Sequence, residues 1–209
     1  GFTLLICIGL FAAGMSAFDS LCHCLTTLAT GGYSPHDASI EFYRLSGYTH
    51  FRLIEYIIII GMMMGGINFL VHHRILRGNV KALFDNSEIK LWWGIIAACT
   101  LVILIERYVR LNGAAGVPLA SVDFLRHLEE SFRNVLFQVI SILTTTGYAT
   151  RDIGGAFFGT AAKQIFLVLM VIGGCVGSTA GGIKILRAFI LLKLIKRELF
   201  RLRTPRHTI

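Results

Sequence analysis

The sequence predicts an all-α membrane protein built from two copies of one unit, each an outer helix, a short re-entrant helix, a loop and an inner helix. Three observations carry this. The chain is 55% hydrophobic over 209 residues, too apolar for an ordinary soluble domain. Two segments, Ala29-Thr30-Gly31-Gly32-Tyr33-Ser34 and Thr144-Thr145-Thr146-Gly147-Tyr148-Ala149, share a Thr-x-Gly-aromatic signature. Each follows an apolar run that reads as a short helix dipping into a bilayer.

In chain order, residues 1–75 form the first unit. Residues 1–13 read as the end of an outer helix, because no basic or cleavable leader pattern precedes them and the chain is expected to begin inside a transmembrane element. A re-entrant helix over 18–28, the loop 29–34 and an inner helix over 53–72 with a glycine break follow. Residues 76–88 are a polar linker. The second unit, 89–190, has an outer helix over 89–108, with Trp92 and Trp93 near one end where aromatic belts lie. A polar segment over 109–126, a re-entrant helix over 127–143, the loop 144–149 and an inner helix over 160–190 complete it. Residues 191–209 form a basic, amphipathic tail suited to anionic lipid or to a partner.

Register tests the duplication. Gly32 and Gly147 lie 115 positions apart; at an offset of 116, Gly61, Gly65, Gly66 and Ile67 fall on Gly177, Gly181, Gly182 and Ile183. Agreement of two separate motifs within one residue of offset marks an internal repeat.

The formal charge of +8 raises a nucleic-acid reading, which its distribution answers. With both loops on one side of a membrane, the linker and tail side holds twelve basic residues against three acids, and the loop side eight against nine. That is the positive-inside pattern, with loops external and linker and tail cytoplasmic. No nucleic-acid partner is needed.

A Thr-x-Gly-Tyr loop after a short helix has the chemistry of a cation filter. Glycine reaches positive φ without steric cost, so successive carbonyls can face one axis and replace a cation's hydration shell. The helix ending before the loop directs its partial negative C-terminus there. A plain interhelical turn is the bland alternative, disfavoured by two copies in matching context. Thr30, Gly31, Gly32, Tyr33 and Thr145, Thr146, Gly147, Tyr148 are therefore the predicted filter, with the carbonyls of Thr30, Gly31, Thr145 and Thr146 as ion ligands. The glycines of the inner elements mean either close packing or a break that obstructs the pore. Met62–Met64 and Asn68 make the first copy the less regular, so Gly61, Gly65, Gly66 and Asn68 are predicted as the movable constriction. Where that copy has Asn68 and Val71, the second has Lys184 and Arg187: cations that either raise a barrier beneath the filter or snorkel to the headgroups. Arg187 is the deeper of the two.

Other patterns carry nothing. Cys22-His23-Cys24 has no partner pair for a zinc site, and its i, i+2 spacing divides it between helix faces. Residues 174–184 lack the Gly-Lys-Ser/Thr of a phosphate loop. His72-His73 reads as interfacial. The five cysteines, odd in number and in apolar segments, read as small buried hydrophobes. No nucleophile–base set emerges, so the chain is not expected to be an enzyme.

The motifs Ala29-Thr30-Gly31-Gly32-Tyr33-Ser34-Pro35-His36-Asp37-Ala38-Ser39, Thr144-Thr145-Thr146-Gly147-Tyr148-Ala149-Thr150-Arg151-Asp152 and Gly173-Gly174-Cys175-Val176-Gly177-Ser178-Thr179-Ala180-Gly181-Gly182-Ile183-Lys184 resemble the Trk/Ktr/HKT family of potassium transporters. The likeness is nearest to the bacterial Trk membrane subunit. It implies a pseudo-fourfold, potassium-channel-like pore of four units in one polypeptide, with this chain as the third and fourth, the C-terminal half. It also implies a homodimer of full-length chains, a cytosolic nucleotide-binding regulatory ring, and an inner-membrane location. Glycine at both Gly32 and Gly147, where serine accompanies sodium permeation in relatives, implies potassium. The family's third-unit intramembrane gating loop would fall at residues 61–68 and its fourth-unit pore arginine at Arg187. Gly31 departs from the bulkier residue common there. Potassium uptake, with potassium as cargo and no covalent cofactor, is thus the expected function. A potassium-binding subunit of a P-type ATPase complex and a non-conducting membrane scaffold are the alternatives.

Overall fold

The computed structural model describes residues 1–115 and 122–203. They form ten helices: α1 Phe2–Ala12, α2 Ala17–Leu28, α3 Glu41–Leu45, α4 Phe51–Gly66, α5 Phe69–Leu76, α6 Ala82–Asp85, α7 Ser87–Ala115, α8 Val122–Leu143, α9 Thr160–Val171 and α10 Ile185–Arg203. No named strand occurs among the described residues; a single parallel bridge joins Ile172 to Ile183. The first copy runs from α1 to α5 and the second from α7 to α10, with α6 in the linker.

Local chemistry explains the ends. Ser16 precedes α2 and its hydroxyl accepts the Asp19 N–H at 3.0 Å, which satisfies one donor of the first turn. At the far end of α4 the chain breaks at Ile67, and Asn68 caps α5 by accepting the Leu70 N–H at 2.8 Å. α4 and α5 meet at 108°. His72, on α5, donates from Nε2 to the Met64 carbonyl at 2.7 Å and covers an open end of α4, so it is buried structure rather than an interfacial residue. Among the described residues one helix is long and apolar enough to cross a membrane, Ser87–Leu111, or two if the bent pair counts as one span.

The inner elements correct the sequence reading. The predicted helix over 160–190 is two helices, α9 and α10, separated by a loop of residues 172–184. Glycines that align in sequence differ in structure: Gly61, Gly65 and Gly66 are helical in α4, whereas Gly177, Gly181 and Gly182 lie in the loop. Three helix-forming methionines separate the first set. The second is joined by Gly173 and Gly174, each costing about 1 kcal/mol in a helix, and Gly177 and Gly182 take positive φ. The long break therefore belongs to the second copy, not the first. Smaller differences are that α7 runs to Ala115 and α8 begins at Val122, so the predicted polar segment shrinks; residues 116–121 of it, and residues 204–209 of the tail, lie outside the described residues.

Within the core, α4 lies against α2 and α8, the helices that precede the two Thr-x-Gly-Tyr segments. One buried ion pair ties this seam together: Arg133 on α8 bonds Glu55 on α4 through Nη1, and each side chain is only 1% exposed. Arg133 Nε also donates to Glu129 at 2.9 Å. Removing one partner of such a pair leaves an uncompensated buried charge. Arg133→Met is expected to destabilise the protein by about 3–5 kcal/mol, and Glu55→Leu/Arg133→Met by less. Melting of the detergent-solubilised protein checks this; a double variant that adds the two single losses would contradict it.

Candidate functional site

The two Thr-x-Gly-Tyr segments repeat one another to the level of individual hydrogen bonds. Thr30 has φ 51° and Gly32 φ 69°; Thr145 has φ 57° and Gly147 φ 87°. Left-handed residues thus alternate with ordinary ones at the same positions in both copies. In the first, the Gly31 and Gly32 N–H groups converge on the Thr26 carbonyl at 2.8 and 3.4 Å. In the second, the Thr146 and Gly147 N–H groups converge on the Ser141 carbonyl at 2.9 and 3.2 Å. Thr30 and Thr145 N–H groups bond the Thr27 and Ile142 carbonyls at 3.1 and 2.9 Å.

Two adjacent N–H groups turned to one acceptor make a nest. Because a trans peptide sets its C=O opposite its N–H, the carbonyls of Thr30, Gly31, Thr145 and Thr146 face away from that wall. None of these four accepts a hydrogen bond from a described residue. The tyrosine carbonyls behave otherwise: that of Tyr33 takes the Thr26 hydroxyl at 3.0 Å and that of Tyr148 the Ser141 hydroxyl at 2.6 Å, again equivalent positions. The strands lie side by side. A Cβ on Gly32, already at positive φ, would collide with the Thr146 carbonyl, so only glycine fits there.

Tyr148 is fully buried and Tyr33 is 78% exposed. The Tyr148 hydroxyl crosses to the first copy, 2.5 Å from Thr26 Oγ1 and 3.1 Å from His23 Nδ1. The predicted filter residues are thus brought together at the seam between copies, and the sequence reading missed His23, which it weighed only as a zinc ligand. Comparison at the repeat offset, which sets His23 against Gln138, was the available signal.

The loop 172–184 packs onto this arrangement. A helix leaves its last carbonyls without partners, and those of Gly65 and Gly66 in α4 take the Thr179 and Cys175 N–H groups at 3.1 and 3.0 Å. The Thr179 hydroxyl lies 3.0 Å from the carbonyls of both Leu28 and Gly65. Gly181 N–H donates to Thr145 Oγ1 at 2.6 Å, so the loop touches a predicted filter residue directly. On its outer side Val176 N–H donates to Glu88 at 2.7 Å. Asn68 closes against Gly177, whose added Cβ would lie 3.1 Å from the Asn68 amide. Gly61 and Gly65 let α4 approach Thr27 and Leu28, where a Cβ would fall 2.7 and 2.8 Å from the nearest atoms. Gly66 fits equally closely against Thr144 and Trp92. Lys184 bonds the Ala180 carbonyl within the loop, whereas Arg187 is exposed on α10 with no partner among the described residues. No metal-ligating cluster of His, Cys, Asp and Glu occurs among the described residues.

The family model of TrkH, a cation transport protein, matches residues 2–209. A Trk system potassium uptake protein, TrkI, of Halomonas elongata is 33% identical over 95% of this chain and 36% of its own length. TrkH of Escherichia coli K12 is 33% identical over 97% of this chain and 38% of its own. The crystal structure of the potassium transporter TrkH from Vibrio parahaemolyticus superposes with a TM-score of 0.79 at 28% identity, covering all of this chain and 41% of that one. The chain thus spans about two fifths of the length of these relatives.

Among the described residues, Glu88 is the charged anchor of the loop on the outer-helix side. In a variant keeping Cys175 as sole cysteine, Glu88→Ala is expected to speed maleimide labelling of buried Cys175 by about fivefold, the factor for one lost hydrogen bond. An unchanged rate would mean that the other bonds alone hold the loop.

Proposed function

Because the chain belongs to the TrkH family of cation transport proteins, we propose that it forms two of the four pore units of a potassium uptake protein of the cytoplasmic membrane. The observation that carries this reading is the pair of backbone strands whose Thr30, Gly31, Thr145 and Thr146 carbonyls face away from their supporting helices with no donor among the described residues. At membrane depth, unsatisfied carbonyls are tolerated where they meet water or a cation. α2 and α8 end at these strands and add their partial negative ends. Potassium enters from the outer face, exchanges water for carbonyls, and passes the loop 172–184 to reach the cytoplasm.

Docking of that loop on Thr145, Leu28 and the open end of α4 supports it as the gate, with Lys184 the cation inside it. The family resemblance assigns an intramembrane loop to the third unit. Its position here supports reading the two copies as the second and third units in place of the third and fourth, and leaves Arg187 without the fourth-unit role. The charge asymmetry supports external loops with the linker and α10 in the cytoplasm. There the basic face of α10 suits a cytosolic nucleotide-binding regulatory ring, on a dimer of complete chains.

The test follows rubidium and sodium entry into cells that lack other potassium uptake and make the complete protein, either wild type or Gly147→Ser. Wild type is expected to prefer rubidium, and the variant to lose that preference by about tenfold, as losing a well-placed carbonyl site costs roughly 1.4 kcal/mol of discrimination. Absence of entry, or a variant indistinguishable from wild type, would favour the scaffold or pump-subunit reading.

A further inference from the structure

We propose that His23 is a positioning residue that fixes Tyr148 and, through it, the outer end of the first carbonyl strand; this rests on the transport reading above. His23 is completely buried in α2, the re-entrant helix of the first copy, yet its Nδ1 faces the second copy. Nδ1 lies 3.1 Å from the Tyr148 hydroxyl, and the two rings meet at 5.4 Å with a 60° tilt. The ring edge of Tyr43, 5.8 Å away, closes the other side.

Proton counting sets the direction of this network. His23 Nε2 is buried with no hydrogen-bond partner among the described residues. An orphaned N–H is the rarer and costlier of the two defects, so Nε2 carries the lone pair and Nδ1 the proton. Nδ1–H then donates to Tyr148 Oη. Tyr148 O–H donates to Thr26 Oγ1 at 2.5 Å, with the Tyr33 carbonyl 3.3 Å away as the longer alternative. Thr26 O–H in turn lies 3.0 Å from the Tyr33 carbonyl and 2.8 Å from that of Cys22. Each hydroxyl gives one proton and receives one. The chain ends on the Thr26 proton, shared between the Cys22 carbonyl and the Tyr33 carbonyl that closes the first strand.

The repeat makes this asymmetric. Position 23 corresponds to Gln138 in the second copy, and Gln138 Nε2 approaches the carbonyl of the same Tyr148 at 3.5 Å. Equivalent residues of the two copies thus hold one tyrosine from its two ends. Without a donor at position 23, Thr26 can donate to Tyr148 instead, and the Tyr33 carbonyl keeps only the longer 3.3 Å contact from the Tyr148 hydroxyl.

Two measurements on the complete protein test the proposal. Melting of His23→Leu, Tyr148→Phe and the double variant reports the contact independently of transport: the losses are expected to overlap, and strictly additive losses would overturn the proposal. In uptake, His23→Leu is expected to lower the rubidium-over-sodium ratio about fivefold, the factor for one hydrogen bond, and to change nothing further in a Tyr148→Phe background. His23→Asn, which returns a donor near the Nδ1 position, is expected to restore most of the ratio. A ratio within twofold of wild type in His23→Leu, or no rescue by asparagine, would overturn the positioning role. Wild type without rubidium entry would overturn the transport reading instead, while the melting cycle still decides whether His23 holds Tyr148.

Discussion

Two consecutive N–H groups bonded to one carbonyl, Gly31 and Gly32 on Thr26 and their counterparts Thr146 and Gly147 on Ser141, are the interaction on which the rest of the structure depends. Non-helical backbone inside a membrane is costly unless every donor finds an acceptor. Here the donors are satisfied by the last turn of the preceding helix, so these N–H groups need no acceptor from beyond their own unit. The opposite edge of each peptide is left free. Positive φ at Thr30 and Thr145, residues that rarely adopt it, is the conformational cost of that arrangement and recurs in both copies.

The surrounding elements serve this edge. Glycines at 61, 65 and 66 let α4 approach the ends of α2 and α8 too closely for any Cβ. The same helix ends abruptly, and its unsatisfied carbonyls become the dock for the loop of the second copy. Glu55 and Arg133 hold α4 against α8 farther out, where the pair specifies one alignment of the two copies. A network built from helix ends is suited to movement: releasing the loop exposes carbonyls of Gly65 and Gly66 that water can take over, whereas the N–H groups behind the strands stay bonded. The loop can then move without breaking those backbone bonds.

Much of this was legible in the chain. The Thr-x-Gly-Tyr repeat at an offset of 115 predicts two equivalent segments, each following a helix, and glycine at 32 and 147 supplies the positive φ found there. The inner elements were not legible in the same way. Aligned glycines at 61–66 and 177–182 fold differently, since helix-forming methionines and tight tertiary contacts keep the first set helical. Asn68, read as part of a constriction, is foremost a helix cap. Glu55 and Arg133, 78 positions apart, and His23 and Tyr148, 125 apart, meet only through the approach of the copies, which no local pattern encodes. The offset itself, applied to polar positions rather than glycines alone, would have set His23 beside Gln138.

The most direct test of the free carbonyl edge is anomalous diffraction from crystals of the complete protein grown with thallium, an electron-dense stand-in for potassium. The account predicts a thallium peak on the axis faced by the Thr30, Gly31, Thr145 and Thr146 carbonyls, displaced by excess potassium and not by sodium. No peak there, or one equally displaced by sodium, would contradict the claim that these two strands line a potassium path.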